Sequence, residues 1–431
     1  MSAHRGRSLR AALVGSLVLG AVALGLVVGG SVPASATTPI IVNCSAGGDL
    51  QAAINSAASC AALVVSGTCT GNFYIDKDLT LSGPAVLDGG GVPTTYGTTL
   101  NVMGGTVVLN KLVIQDGVGI DGLGGGLWNG GQLTLNDSTV SNNTAAVGGI
   151  FNFGQLTLNN STVTHNTSTF GGGGGIFNCG ASLHNYGLCT GAPGSLTLNH
   201  STVSNNNAAG DGGGILNDGQ TVLKLVNSTV SGNSTTGGSG GGIANNGTAT
   251  VDVSTVSGNS SSSGDGGGIV NSGTATVNFS SVSSNTSGHL GGGIENHGTA
   301  TISWSMVSKN TSTGGLSSWS GGGGLSNTGP TTINNSIVLS NSAAWLGGGV
   351  FAEGPMTINK SIVTGNAAGP QGGGLVVWDG PTTVANSAFW NNSDQAVLVP
   401  DNPAGVWVAP ADFGGFFTNH PTFTTTHSTY N

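Results

Sequence analysis

Apolar and polar residues alternate with a period of two in short runs that return along most of the chain. In residues 133–135 (Leu-Thr-Leu) the two leucines share one side, which is typical of a β-strand with one buried face. Two polar residues follow, and the alternation resumes in residues 138–140 (Ser-Thr-Val). Since Asn and Asp tolerate left-handed backbone angles, the polar pair predicts a tight corner between two strands.

This unit comes back ten times, and its columns can be aligned on one Ser. The anchor residues are Ser138, Ser161, Ser201, Ser228, Ser254, Ser280, Ser305, Ser336, Ser361 and Ser387. Five residues after each anchor stands Asn143, Asn166, Asn206, Asn233, Asn259, Asn285, Asn310, Asn341, Asn366 or Asn392. Because the Asn column has no exception, we interpret it as a structural ladder of stacked amides.

A third strand, GGGI-x-N, completes each unit. Three strands per turn of 23–28 residues, with little helical pattern, predict an all-β parallel β-helix forming a single solenoid. A propeller is the competing repeat architecture, but its blades need about 40 residues. We expect the ten repeats to span residues 124–392, after irregular first coils at residues 63–123.

Caps are expected at both ends of the solenoid. Residues 49–59 (DLQAAINSAAS) hold the one helical pattern, with Asp49 as N-cap and Leu50 and Ile54 on one face. A short helix within an N-terminal cap at residues 37–62 would cover the open end of the first coil. Residues 393–431 are rich in apolar side chains and are expected to close the far end.

The N-terminus resembles a secretion signal. Three arginines precede an apolar run at residues 11–28, and Ala-Ser-Ala at residues 34–36 matches a small-residue cleavage site. Residues 1–36 are therefore predicted to be a signal peptide, and the protein to be secreted with no membrane span after cleavage. A retained membrane anchor is the alternative, because the run is long enough to span a bilayer.

Composition narrows the range of partners. The 80 glycines would suit disorder, but apolar residues at fixed columns indicate a folded chain. Without residues 1–36 the chain has 17 acidic residues, five lysines and no arginine, a net charge of −12. This balance argues against nucleic acid and anionic membranes as partners.

The five cysteines fit an oxidising compartment. We predict that Cys179 pairs with Cys189 within one loop, and that Cys44 pairs with Cys69, leaving Cys60 unpaired. No Cys or His pair stands at metal-ligand spacing, so neither a metal nor another cofactor is expected.

The GGGI strand paired with VxxN resembles the repeats of chlamydial polymorphic membrane proteins and related bacterial adhesin-like right-handed β-helices. The resemblance covers about residues 124–392. Residues 49–83 are similar to the opening coils of secreted pectin-lyase-like β-helix proteins. These resemblances imply right-handed coiling and an extracellular, adhesin-like role.

Aromatic residues provide the candidate ligand contacts. Trp128, Phe151 and Phe177 follow the GGGI aliphatic and should point outward, and Trp319 and Trp345 occupy the variable loops of adjacent coils. Exposed rings suit stacking on sugars or contact with a partner. The alternative is that loops cover these rings.

Two further outward columns are notable. Thr-Ala-Thr occurs at residues 248–250, 274–276 and 299–301. Either these Thr residues form an ice-binding array, or they are present only because Thr suits exposed strands. Val253, Phe279 and Trp304 share one corner column in the same three coils.

Acidic groups are sparse. Asp265, His289 and Glu295 could approach one another across neighbouring coils as acid, base and orienting group. Pectate-lyase-type elimination is a less well supported activity, because such enzymes use Asp-held calcium and an Arg base. Residues 37–431 contain no arginine. We therefore predict a monomeric, non-catalytic recognition scaffold that binds glycan or another cell-envelope component. The alternative is a polysaccharide lyase or glycoside hydrolase.

Overall fold

The computed structural model describes residues 38–91, 97–179, 194–314, 320–393, 406–408, 422–426 and 428–430. The chain forms a parallel β-helix, as predicted: every strand pairing among these residues is parallel and joins one coil to the next. The right-handed coiling implied by the resemblance agrees with the hand that parallel crossover connections take in nearly all proteins.

Three parallel sheets form the walls of the solenoid, and sheet 2 begins only at Val118. Sheet 1 receives two strands from each regular coil: Ile40–Asn43, Ala61–Thr70, Leu79–Asp88, Thr106–Gln115, Gln132–Asn136, Thr139–Ser141, Gln155–Asn159, Thr162–Thr164, Ser195–Asn199, Thr202–Ser204, Val222–Val226, Thr229–Ser231, Thr248–Asp252, Thr255–Ser257, Thr274–Asn278, Ser281–Ser283, Thr299–Ser303, Met306–Ser308, Thr331–Asn334, Ile337–Leu339, Met356–Asn359, Ile362–Thr364, Pro381–Ala385, Ala388–Trp390, Thr422–Thr426 and Thr429–Tyr430.

Sheet 2 consists of Val118–Gly124, Thr144–Val147, Thr167–Ser168, Asn207–Ala208, Ser234–Thr235, Ser260–Ser261, Thr286–Ser287, Thr311–Ser312, Ser342–Ala343 and Ala367–Ala368. Sheet 3 consists of Phe73–Ile75, Leu100–Val102, Leu127–Asn129, Ile150–Asn152, Ile176–Asn178, Ile215–Asn217, Ile243–Asn245, Ile269–Asn271, Ile294–Asn296, Leu325–Asn327, Val350–Ala352, Leu375–Val377 and Val406–Val408. Sheet 2 was not predicted, because its two-residue strands are too short to show an alternating pattern.

The N-terminal end is covered as expected. A helix at Leu50–Ser56 begins after Asp49, whose side chain accepts a hydrogen bond from the Ala52 amide at 2.9 Å. Its Leu50 and Ile54 side chains are buried against the first coils. The helix is shorter than the predicted pattern and ends before Ala57.

The cysteines agree with the predicted pairing where it lies in the described residues. Cys44 and Cys69 form a disulfide, and Cys60 is an exposed free thiol. Cys179 is disulfide-bonded, whereas its predicted partner Cys189 lies outside the described residues.

Both termini extend beyond the described residues in part. The predicted signal peptide, residues 1–36, lies outside them. At the other end, Val406–Val408 and Thr422–Thr426 pair with the preceding coil and continue sheets 3 and 1. No helix within the described part of the chain is long and apolar enough to cross a membrane.

The interior is an apolar column with polar ladders at its corners. The inward Leu, Ile and Val residues of sheets 1 and 3 form one continuous buried cluster. The Asn column is buried beside it, and each amide bonds to the coils on both sides. Asn259 Nδ2 donates to Val230 O and to Asn285 Oδ1, both at 3.0 Å, and its Oδ1 accepts from the Asn233 amide nitrogens.

Two further ladders accompany the Asn column. The anchor Ser residues are linked by bonds such as Ser254 N to Ser280 Oγ at 2.9 Å. An Asn ends seven consecutive sheet 3 strands, from Asn129 to Asn296, and these residues form a second amide ladder with links of 2.6–2.7 Å. This ladder stops where Asn296 bonds to Thr331 Oγ1 instead of to Asn327.

We expect Asn259→Ala to destabilise the protein by about 1–3 kcal/mol, because it leaves buried amides of two neighbouring coils without partners. Urea unfolding of the variant and the parent measures the loss. Asn246→Ala, at an exposed position of the same coil, is the control. Equal loss in both variants would contradict a special role for the ladder.

Peptide mapping without reduction should recover Cys44 linked to Cys69 and Cys179 linked to Cys189, with only Cys60 alkylated. Removing the first bond should lower stability by about 3.5 kcal/mol, from the entropy of closing a loop with a sequence separation of 25. Free Cys179 and Cys189 thiols would contradict the second pairing.

Candidate functional site

One corner column of the solenoid has an unusual backbone conformation. In every regular coil the corner between the two sheet 1 strands is formed by a residue in the left-handed region, with φ between 47° and 52°. The column consists of Asp137, Asn160, His200, Asn227, Val253, Phe279, Trp304, Asn335, Lys360 and Asn386. Asn and Asp adopt this region readily, whereas β-branched and bulky residues rarely do. Val253, Phe279 and Trp304 are therefore strained, at a cost of roughly 1–3 kcal/mol each.

These three strained side chains are also exposed. Val253, Phe279 and Trp304 are 50%, 57% and 58% exposed, and the two rings stack with centroids 6.2 Å apart and planes at 14°. The exposed side chains of Met306 and Ile337 continue the apolar surface in the next strands. We call these five residues the corner ledge. They line an open depression of about 380 Å³.

Polar but uncharged groups surround the ledge. The half-buried Thr255, Ser281 and Asn335 line the same depression, and none of its lining residues among those described is charged. The outward Thr residues of the three Thr-Ala-Thr strands lie in the same coils. Rings beside hydroxyl and amide groups can hold a ligand that has both apolar faces and hydroxyl groups.

Aromatic rings that follow the aliphatic residue of GGGI were predicted to be exposed, but Phe151 and Phe177 are buried. These side chains are only 2% and 7% exposed, and they pack with Val147, Cys179 and a half-buried Trp128. The strand position does face away from the interior, but neighbouring side chains cover it. Phe151 and Phe177 are therefore covered rings, as in the alternative, whereas the insertion that follows Cys179 lies outside the described residues.

The predicted loop tryptophans are described only in part. Trp319 lies outside the described residues. Trp345 is half-buried and packs on Trp378 with ring centroids 6.4 Å apart, and Trp378 in turn contacts Phe351. These rings form a small apolar cluster on the outer side of sheet 3.

Glu295 occupies the same covered column, where other coils have mainly apolar residues. Its side chain is 0% exposed, and neither carboxyl oxygen has a hydrogen-bond partner of normal geometry. The turn at Gly291 lies directly on this strand: a Cβ there would be 2.7 Å from the Glu295 nitrogen. Burial raises the pKa of Glu295 well above its usual 4.5; the nearby Ser326 hydroxyl opposes the shift, and Asp265 adds to it.

The histidine beside Glu295 is His297 and not the predicted His289. His297 Nδ1 lies 3.6 Å from Glu295 Oε1 and 3.1 Å from Thr328 Oγ1. Residues two apart on a strand face the same side, and this spacing in the sequence could have indicated the pair. His289 is held through its backbone, which donates to Gly264 O. Asp265 accepts from the Leu290 amide at 3.0 Å and also raises the pKa of Glu295.

Glu353 is a second perturbed carboxyl group that sequence reasoning missed. It is half-buried, and burial raises its pKa to about 7, with the charges of Asp379 and Asp265 adding to the shift. It occupies the column position of His297 two coils later. Among the described residues, no group of three or more His, Cys, Asp or Glu side chains is arranged to hold a metal ion.

We expect stability to fall as pH rises above about 4.5, because folded Glu295 and Glu353 keep protons that the unfolded chain loses there. For Glu353 the loss should be complete a little above pH 7. Glu295→Gln should therefore be more stable relative to the parent at pH 8 than at pH 4. Thermal unfolding at both pH values measures this difference, and an equal difference at the two would refute the buried neutral acid.

Comparisons with known proteins assign no family. No protein family matches the chain. No curated protein matches it either. Among solved structures, a mannuronic-acid-specific polysaccharide lyase of family 6 from the human gut microbiota matches with a TM-score of 0.37 and 10% sequence identity, covering 86% of this chain and 91% of that one. This level of similarity transfers neither a substrate nor a residue role, and the β-helix rests on the strand pairing of the chain itself.

Proposed function

We propose that the protein is an extracellular recognition scaffold whose corner ledge binds a neutral glycan. The observation that carries this proposal is the strained and exposed stack of Phe279 on Trp304 beside Val253. Backbone strain of this kind persists at sites where function maintains it. The β-helix itself supplies a rigid support for such a surface.

Folding alone does not account for these three side chains. The same corner is made by Asn, Asp, His or Lys in the other regular coils, with the same φ. Asn, Asp and His adopt this conformation more readily, and none of the four exposes an apolar side chain. Contiguous exposed apolar surface rimmed by polar residues is typical of interaction sites.

The chemistry of the ledge favours an uncharged sugar polymer. Aromatic rings pack against the apolar faces of sugars, and the hydroxyls of Thr255 and Ser281 and the amide of Asn335 can bond to sugar hydroxyls. The chain carries a net charge of −9, which disfavours acidic polymers.

The cellular setting is part of the proposal. The Cys44–Cys69 disulfide supports an oxidising, extracellular location. An adhesin-like role on a cell envelope follows if the ligand is an envelope polysaccharide. The aromatic cluster with Trp345 is the competing ligand surface, and the ledge is preferred because its rings are more exposed.

We expect Trp304→Asn to weaken glycan binding at least about tenfold, roughly 1.4 kcal/mol, by removing the stacking ring. Val253→Asn should instead stabilise the fold by about 1 kcal/mol through relief of strain. Retention on insoluble cellulose, xylan, mannan and β-1,3-glucan, together with urea unfolding, measures both effects.

Trp345→Ala is the matched control for the loss of a tryptophan and should keep the parent's binding. If Trp345→Ala loses binding and Trp304→Asn keeps it, the ligand surface lies on the outer side of sheet 3 and not at the corner ledge. Retention on none of the four polymers would refute a neutral glycan as ligand.

A further inference from the structure

A second set of chemically active side chains lies at the other end of the strand that leads to Trp304. The position after each sheet 3 strand forms an outward column at the corner with sheet 1. In four consecutive coils its members are His297, Thr328, Glu353 and Trp378. We call these four residues the His297 row. It holds a base, a hydroxyl, an acid and an aromatic ring in four consecutive coils.

The two titratable members of the row flank Thr328. Neighbouring coils are 4.7–4.9 Å apart, so His297 and Glu353 are separated by roughly 9.5 Å. A pair of acid and base groups about 6.5–9.5 Å apart leaves room for a sugar linkage and one water molecule. The Trp378 ring, packed on Phe351, follows Glu353 in the next coil.

The imidazole of His297 is held in a defined orientation. Its Nδ1 faces both Thr328 Oγ1 at 3.1 Å and Glu295 Oε1 at 3.6 Å. A proton on Nδ1 leaves the lone pair of Nε2 free to accept another. His297 is 40% exposed, whereas Glu295 beneath it is fully buried and has no other partner of normal geometry.

We infer that the His297 row is an acid–base site that hydrolyses a glycosidic bond of the glycan held at the corner ledge, with Glu353 as acid and His297 as base. This inference rests on the proposed function. In the step, the Glu353 carboxyl gives its proton to the glycosidic oxygen as the bond from that oxygen to the anomeric carbon breaks. His297 Nε2 takes a proton from a water molecule, and the water oxygen bonds to the anomeric carbon from the opposite side.

The remaining groups support this step. Burial keeps Glu353 protonated near neutral pH, since its pKa is raised to about 7. Glu295 is a positioning residue: Oε1 of its neutral carboxyl group lies 3.6 Å from His297 Nδ1 and keeps the Nδ1 proton on that side of the ring. Exchange of one proton from His297 and one to Glu353 with solvent restores the starting state.

One strand connects the row to the ledge. His297 and Trp304 belong to the same coil, at the two ends of Thr299–Ser303, roughly 23 Å apart for seven residues in extended conformation. Thr299 and Thr301 point outward between them, while Ala300 and Ile302 are buried. A glycan that stacks on Trp304 can lie along these hydroxyls and reach the row.

The test uses the full chain and four defined neutral substrates: cellohexaose, xylohexaose, mannohexaose and laminarihexaose. The parent should release shorter sugars from at least one of them, with inversion at the anomeric carbon by NMR. Glu353→Gln and His297→Gln should each lower the rate at least about a hundredfold. Asn246→Ala, at an exposed position two coils before His297, is the control and should keep the parent's rate.

Three further measurements separate the possible failures. Glu295→Gln should shift the pH profile of kcat/KM while binding at the ledge stays unchanged, which a purely structural role would not do. Glu353→Asp should recover part of the rate if Glu353→Gln folds normally. Binding that depends on Trp304 without cleavage of any of the four sugars overturns this inference and leaves the proposed function standing. Cleavage undiminished in Glu353→Gln overturns it as well.

Discussion

The hydrogen bonds of buried side-chain amides hold this solenoid in register. An amide placed in an apolar interior is costly unless its donor and acceptor are both satisfied. In the Asn column each Oδ1 accepts from the preceding coil, and each Nδ2 donates to the coil on either side. A slip of one residue would break all of these bonds at once. The ladder therefore fixes which residues face inward in every coil.

A fixed register leaves the outward positions free to vary. The corner between the sheet 1 strands must be left-handed in every coil, because the Asn and Ser ladders on either side set the strand directions. Most coils meet this demand with a residue that adopts the conformation readily. Three adjacent coils meet it with Val253, Phe279 and Trp304, so the surrounding bonds must hold these residues in a conformation they disfavour. Because the surrounding hydrogen bonds fix the backbone, the scaffold can hold Phe279 and Trp304 stacked and exposed despite the strain.

Glu295 shows the opposite situation, a buried polar group without a ladder. Its column is covered by glycine turns and is apolar in most coils, so the carboxyl group gains no compensating bonds. Burial therefore keeps it protonated, and the exposed His297 lies 3.6 Å from it. The second Asn ladder ends at Asn296, between these two residues in sequence. The second Asn ladder thus stops in the coil that holds Glu295 and His297, and Glu353 lies two coils later.

The arrangement of strands and inward-facing residues within each coil could be predicted from the sequence alone. The alternation at Leu133 and Leu135, the invariant Asn column and the Asp49 cap specify strands, interior and helix start, since each depends on residues close in the chain. The strand Thr167–Ser168 and its equivalents were not predicted, because a strand of two residues is too short to show an alternating pattern of apolar and polar residues.

Tertiary structure decided which outward side chains meet solvent and which meet each other. Periodicity placed Phe151 on the outer side of its strand but could not show that Phe177 and Trp128 of the neighbouring coils pack against it. Periodicity also placed Trp304 in a corner column, but it did not show that the backbone of Trp304 has the positive φ that strains it. It paired Glu295 with His289 and missed His297 and Glu353, because distance around a coil depends on the lengths of loops that vary from repeat to repeat. Local pattern fixes the direction of a side chain, whereas its cover and its neighbours come from other turns of the solenoid.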